Sequence, residues 1–194
     1  MRVLYLFIRS RQTERAVGAL LVVGVVAWLW GRLFGFDEDM LTVGLVMFPL
    51  LAAAALGAVT MSPFGELERA ASRPLRGKYL MQSGMLLVIA MAGFLAATWN
   101  WQVDGAAERA LRNLLGFAGL SLLAATLCGG RLAWSIPFAY GLGSVALVED
   151  SRHQGWALPF RPGGDELALA AAVTVLATGL TLIARCGPRD SSHH

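Results

Sequence analysis

Six long stretches without a single Asp, Glu, Lys or Arg constrain the fold of this chain more than any other feature. They are residues 16–31, 40–65, 79–103, 113–130, 132–148 and 167–184. A helix needs about 20 mostly apolar residues, within a range of about 17–25, to cross roughly 30 Å of hydrocarbon. Each stretch meets this requirement, the first by extending past Arg32. None shows the alternation of an outer-membrane barrel strand, so the stretches predict membrane-spanning helices.

The composition agrees with this prediction. Of the 194 residues, 56% are hydrophobic and only 15% are charged, against about 45–50% and about 25% in soluble domains. We therefore predict an all-α integral membrane protein with six transmembrane helices in a single domain, residues 1–186. The predicted spans are residues 16–34, 40–61, 79–101, 111–130, 132–149 and 167–185. Residues 187–194 are predicted to be a flexible tail that ends in the remnant of an affinity tag.

The distribution of basic residues predicts the orientation. If the amino terminus is cytoplasmic, eleven of the 16 Lys and Arg residues lie on the cytoplasmic side, as the positive-inside rule requires. Both termini of this cell-membrane protein then lie in the cytoplasm. This topology explains the basic pI of about 9.3 without a nucleic-acid partner. Trp28, Trp30, Trp99 and Trp101 fall at the outer helix ends, where aromatic rings prefer the membrane interface.

Two segments outside the spans have sequences typical of helices at the inner membrane surface. Residues 1–15 predict an interfacial helix that leads into the first span. In the loop 62–78, Ser62 is a suitable N-cap, and Glu66 and Glu68 lie in the early turns of a short helix that Pro74 ends. This charged helix either contacts lipid headgroups or docks a soluble partner. The outer loop 149–166 either dips into the outer leaflet or forms a surface turn.

Residue types that carry catalysis are scarce in this sequence. The only histidines are His153, His193 and His194, and no glycine-rich phosphate loop followed by Lys is present. Cys128 and Cys186 fall at inner helix ends and are expected to remain reduced, without a metal. We therefore expect no enzyme activity, no metal and no cofactor in this chain itself. A weakly polar substrate pathway is predicted along the spans, formed by Gln82, Ser83, Tyr140, Ser144 and Thr178, with Pro49 and Pro137 bending spans two and five.

The run Glu66-Leu67-Glu68-Arg69, followed by Arg73-Pro74-Leu75, resembles a loop of small actinobacterial permease subunits of type-2 ABC exporters. The whole layout of six spans with both ends inside is similar to that family. The resemblance implies that the loop helix is a coupling helix that docks on a cytoplasmic nucleotide-binding ATPase subunit, which binds ATP and Mg. The implied docking residues are Glu66, Leu67, Glu68, Arg69, Arg73 and Arg76. It also implies pairing with a second copy or a different permease subunit, and short helices dipping back within 149–166.

Three functions remain open at this point. The first is export of an amphipathic or hydrophobic substrate by a permease subunit that another chain energises. The second is a non-transporting scaffold or regulator that recruits a cytoplasmic partner. The third is a lipid-modifying enzyme with a site around Asp104, Glu108, Arg109 and Arg112.

Overall fold

The computed structural model describes residues 13–35, 37–58, 76–147 and 157–186, and in these ranges the chain is helical and has no strand. The six helices are α1 (Thr13–Leu33), α2 (Glu38–Ala58), α3 (Arg76–Thr98), α4 (Ala106–Leu127), α5 (Ser135–Leu147) and α6 (Glu166–Cys186). Single 3-10 turns occupy Gly130–Leu132 and Leu158–Phe160. All but α5 are long and apolar enough to cross a bilayer. The prediction of an all-α, multi-pass membrane protein is confirmed at this level.

The fifth predicted span is the one that helix length does not establish. As described, α5 has 13 residues and rises about 20 Å, less than the roughly 30 Å of hydrocarbon. Six membrane crossings therefore remain a prediction. Residues 1–12, 59–75 and 187–194, which include most of the predicted interfacial helix, the predicted coupling helix and the tail, lie outside the described residues.

The six helices alternate in direction. Gln82 Nε2 near the start of α3 donates a hydrogen bond to Thr13 Oγ1 at the start of α1 (2.8 Å). Near the other end of α1, Trp30 Nε1 donates to the carbonyl oxygen of Met40 early in α2 (3.0 Å). Residues at similar distances from the starts of α2, α4 and α6 contact one another, which shows that these three helices are parallel. The first residue of α1 and the last residue of α6 therefore lie at the same end of the bundle.

Burial separates an inner pair of helices from an outer group. In α2 and α4, 61% of a membrane-length window is buried, against 22% in α1, α3 and α6. The outer helices expose large apolar side chains such as Leu21, Val22 and Val88. In water such surfaces would be unstable, whereas lipid tails solvate them. Because α4 lies at the centre of the bundle, its polar side chains can reach the helices around it.

One of the tryptophans predicted at the interface lies inside the bundle. Trp99 is 87% exposed, as expected for an interfacial ring, but Trp101 is only 8% exposed. The Trp101 ring covers Gly31 of α1 and contacts Gly44 of α2, where a side chain would collide with it. The absence of a Cβ at these two glycines creates the space, and sequence spacing alone did not reveal this.

The backbones of α4 and α6 approach each other closely. A Cβ added to Gly119 of α4 would lie 2.5 Å from the backbone nitrogen of Leu176, and one added to Gly179 of α6 would lie 2.7 Å from the carbonyl oxygen of Gly119. Small residues allow such backbone contact between membrane helices, which association in lipid relies on.

The substitution Gly119→Ala is expected to force α4 and α6 apart and to destabilise the protein by about 1–3 kcal/mol, the usual cost of overpacking. The measurement is the free energy of unfolding in mixed micelles titrated with sodium dodecyl sulfate. Gly84→Ala in α3 is the matched control, because nothing lies within 4 Å of its added Cβ. Equal stability of the two variants would contradict the close contact.

Candidate ligand-binding site

Arg112 is a buried charged residue on the central helix. The sequence predicts a fourth span from about residue 111, with Arg112 near its outer end. The helix α4 already begins at Ala106, so Arg112 lies in its second turn, and it is only 4% exposed. Its Nη1 donates to the carbonyl oxygen of Pro162 (2.9 Å), and its Nη2 donates to those of Arg161 (2.7 Å) and Pro159 (3.4 Å). One guanidinium thus holds the turn between Pro159 and Pro162 against α4.

Asn113, the next residue, joins the same turn to α2. Its Nδ2 donates to the carbonyl oxygen of Leu45 (2.9 Å) and to that of Pro159 (3.0 Å). The first acceptor has a specific cause. The carbonyl of Leu45 would normally receive the N–H of residue 49, but residue 49 is proline and has none. The Asn113 side chain therefore supplies the donor that the helix backbone lacks.

Ser121, two turns further along α4, anchors the segment that leads into α5. Its Oγ donates to the carbonyl oxygen of Ala133 (3.1 Å), which lies just before the helix begins at Ser135. Pro137 stands in the first turn of α5, where a backbone N–H has no intrahelical acceptor, so this proline removes no hydrogen bond of the helix. Ser121 is fully buried, so its hydroxyl gives the Ala133 carbonyl a partner where water cannot reach.

Asp165 fixes the end of the turn and the beginning of α6. Its Oδ1 accepts the N–H of Ala168 (3.1 Å), as an N-cap does, and its Oδ2 accepts a hydrogen bond from Arg161 Nη1 (2.9 Å). The Ala168 N–H, and then Arg161, hold the pKa of Asp165 below its usual range. The carboxylate is therefore ionised at neutral pH and held in place.

These contacts form one wall of a half-open cavity of about 330 Å³ between α4, α5, α6 and the Leu158–Phe160 turn. Arg112, Asn113 and Tyr140 are the polar side chains among its lining residues. The hydroxyl of Tyr140 interacts with the backbone of Leu158, at the same end as Arg112. The apolar wall includes Phe117, Leu120, Ile136, Ala168, Ala172 and Val175. An apolar pocket with a few converging polar groups is typical of a ligand-binding site.

The structure does not bring the five predicted pathway residues together. Tyr140 lines the cavity, whereas Gln82 ties α3 to α1. Ser83 lines a far smaller gap of about 10 Å³. The hydroxyls of Ser144 and Thr178 donate to carbonyl oxygens of their own helices, those of Tyr140 and Thr174 (both 2.8 Å), the ordinary role of such groups in a membrane helix.

The residues predicted to dock an ATPase can be placed only in part. Glu66, Leu67, Glu68, Arg69 and Arg73 lie outside the described residues, and of Arg76 the structure describes only the backbone, at the first position of α3. Of the residues named for an enzyme site, Asp104 and Glu108 are exposed, while Arg112 is engaged by the turn.

The sequence analysis missed Asn113 and Ser121 as organising residues. The available signal was a proline inside an apolar stretch together with a hydrogen-bonding side chain in another stretch. That signal does not tell which polar residue meets which proline, because the match depends on helix packing. Comparison of the chain with known protein families, with curated proteins and with solved structures found no match in any of the three.

Replacing Arg112 with Met is expected to release the turn, because three carbonyl groups lose their donor and hydrogen bonds to charged groups contribute about 1.5–3 kcal/mol each. Amide hydrogen exchange of residues 157–165, followed by mass spectrometry, should become at least about tenfold faster. Arg109→Met, one turn earlier on α4, is the control, because the Arg109 Nε has no hydrogen-bond partner. Identical exchange in the two variants would show that Arg112 does not hold the turn.

The N-cap at Asp165 should persist well into the acid range. Because the folded pKa is lowered, the stability it contributes is present above the ordinary Asp pKa of about 3.9 and is lost as pH falls through the lowered value. The amide proton shift of Ala168, followed by NMR, should therefore titrate with a midpoint below about 3.9. Asp165→Asn should abolish this titration, and a midpoint above the ordinary value would refute the assignment.

Proposed function

We propose that this chain is the membrane subunit of an exporter that moves an amphipathic or hydrophobic molecule across the cell membrane, using ATP hydrolysed by a partner chain. The observation that supports this most is the half-open cavity inside a multi-pass bundle. Its wall is apolar and it has one polar end, so it suits a molecule with the same two parts. Opening to one side lets such a molecule enter from the membrane or its interface.

The proposed topology has six spans, with both termini and the loop between α2 and α3 in the cytoplasm. The alternating helices, with Thr13 and Cys186 at one end, are consistent with it, as is the excess of basic residues in the segments at that end. The charged sequence from Glu66 to Arg76 would form the docking surface for a nucleotide-binding subunit. A helix at the membrane face can transmit a partner's movement to the spans.

Pro49 gives the proposed transporter a place to move. In α2 the backbone hydrogen bond that this proline removes is replaced by one from Asn113 of α4. A side-chain donor can shift or change rotamer without unwinding a helix turn, so α2 can bend or tilt against α4 at this point. Such tilting would alternate the access of the cavity.

A scaffold or regulator remains the competing function, since it too would recruit a cytoplasmic partner. It has no need of a half-open cavity, and this observation favours transport. The two functions differ in what the recruited partner does. A transporter partner hydrolyses ATP at a rate that changes with substrate, whereas a scaffold partner does not.

Reversing the charges of Glu68 and Arg69 (Glu68→Arg with Arg69→Glu) is expected to abolish co-purification of an ATPase subunit from the native host, because the docking charges would no longer match. The measurement is mass spectrometry of the complex in mild detergent, with the ATPase rate of the eluate. Reversing the charges of Arg32 and Glu38, which lie at the opposite end of the bundle, should leave the co-purification and the ATPase rate unchanged. Recovery of the chain with no ATPase at any stoichiometry would overturn the proposed function.

A further inference from the structure

We propose that the cavity selects a single-chain amphipath with an acidic head, a carboxylate or a phosphate monoester, seated at the Arg112 end. This inference deepens the proposed function and rests on it for the meaning of the ligand as cargo. The binding itself can be tested on the chain alone.

Among the described residues, positive charge at this end of the cavity exceeds the negative charge placed against it. Arg109 and Arg161 both lie within electrostatic reach of Arg112. Asp165 is the described carboxylate that also reaches Arg112, and it is paired with Arg161. Every hydrogen-bond acceptor of the Arg112 side chain among the described residues is a neutral carbonyl. Asp104 and Glu108 are exposed, so water or headgroups screen their charges.

A buried guanidinium is costly in a membrane protein, and such residues usually mark functional sites. Asp165 attracts Arg112 electrostatically but is hydrogen-bonded to Arg161, so among the described residues Arg112 bonds neutral carbonyls alone. The Nε atoms of Arg109 and Arg112, one turn apart on α4, are both buried and have no hydrogen-bond partner among those residues. Of the two residues, Arg112 lines the cavity. An anion at this end would add negative charge where two arginines lie one turn apart.

Shape determines the remainder of the ligand. Arg112, Asn113 and Ala168 lie near the beginnings of the parallel helices α4 and α6, so they line one end of the cavity, while Leu120, Ile136 and Val175 lie deeper. A volume of about 330 Å³ is at the lower end of the about 300–1,000 Å³ typical of ligand pockets. The cavity therefore accommodates one alkyl chain or a small ring system, and not both chains of a phospholipid.

The test uses the full chain in phosphatidylcholine nanodiscs, with empty nanodiscs subtracted. The probe is cis-parinaric acid, a fluorescent fatty acid, and its methyl ester is the uncharged counterpart. Energy transfer from the protein's tryptophans reports binding. We expect the acid to bind at least about tenfold more tightly than the ester, the effect of one charge-assisted hydrogen bond. Hexadecyl phosphate should compete at micromolar concentration, and inorganic phosphate should not.

Two pairs of variants locate the site. Val175→Trp fills the apolar part and should abolish binding of the acid. Val173→Trp is its matched control, because Val173 faces outward on the same helix and is 48% exposed. Arg109→Gln should weaken the acid about tenfold and leave the ester unchanged. Arg32→Gln, an exposed arginine at the same end of the bundle, should change neither. Among the described residues, the side-chain hydrogen bonds from α4 to the turn come from Arg112 and Asn113, so the turn should stay in place when Arg109 is replaced.

The possible outcomes separate the proposals. Equal binding of acid and ester, both lost in Val175→Trp, would overturn the acidic selection and leave the exporter proposal standing. Acid binding that survives Val175→Trp would be adventitious partition and would also overturn the inference. Displacement by inorganic phosphate as strong as by hexadecyl phosphate would indicate a free-anion site instead. Preferential binding of the acid over the ester in a chain that recruits no ATPase would uphold this binding site and overturn the proposed exporter function.

Discussion

The structure depends on one constraint, that every backbone polar group in the hydrocarbon region must find a partner within the protein. Pro49 violates this constraint in α2, since it removes the donor for the carbonyl of Leu45. Asn113 restores it from α4, and Ser121 partners the carbonyl of Ala133 just before α5. These two side chains are eight residues apart, so they lie about two turns apart along the helix and about 80° apart around it. The central helix thereby ties α2 and the start of α5 to itself by side-chain hydrogen bonds.

Asn113 and its neighbour Arg112 explain why a cavity persists beside α4. Asn113 also bonds Pro159, and Arg112 bonds the carbonyls of the following turn. The turn therefore lies across one end of α5 and α6. Polar contacts hold it there, and not side chains that would fill the cavity beneath it. The close contact between Gly119 and Gly179 holds α4 and α6 together deeper in the bundle. With the walls tied at both levels, the space between them remains open.

Sequence reasoning succeeded where the physics is local. Charge-free length predicted five of the helices, because spanning depends on the composition of each segment alone. Charge counting did not show that Arg112 is buried, because α4 already begins at Ala106 and the turn that packs over Arg112 depends on tertiary contacts. The pathway residues were chosen for polarity, but Ser144 and Thr178 satisfy their hydroxyls within their own helices. Only Tyr140 of that set lines the cavity, since its position depends on how α5 packs against α4, which residue types do not encode.

The proline and amide pairing has a consequence for how sequences like this one diverge. With any other residue at 49, the helix regains its own N–H donor for the carbonyl of Leu45 and Asn113 competes for an occupied acceptor. With an apolar residue at 113, a chain that retains the proline leaves that carbonyl without a donor in a water-free interior. Each single change is therefore unfavourable while the double change is tolerated. Positions 49 and 113, far apart in the chain, should vary together in descendants of this sequence.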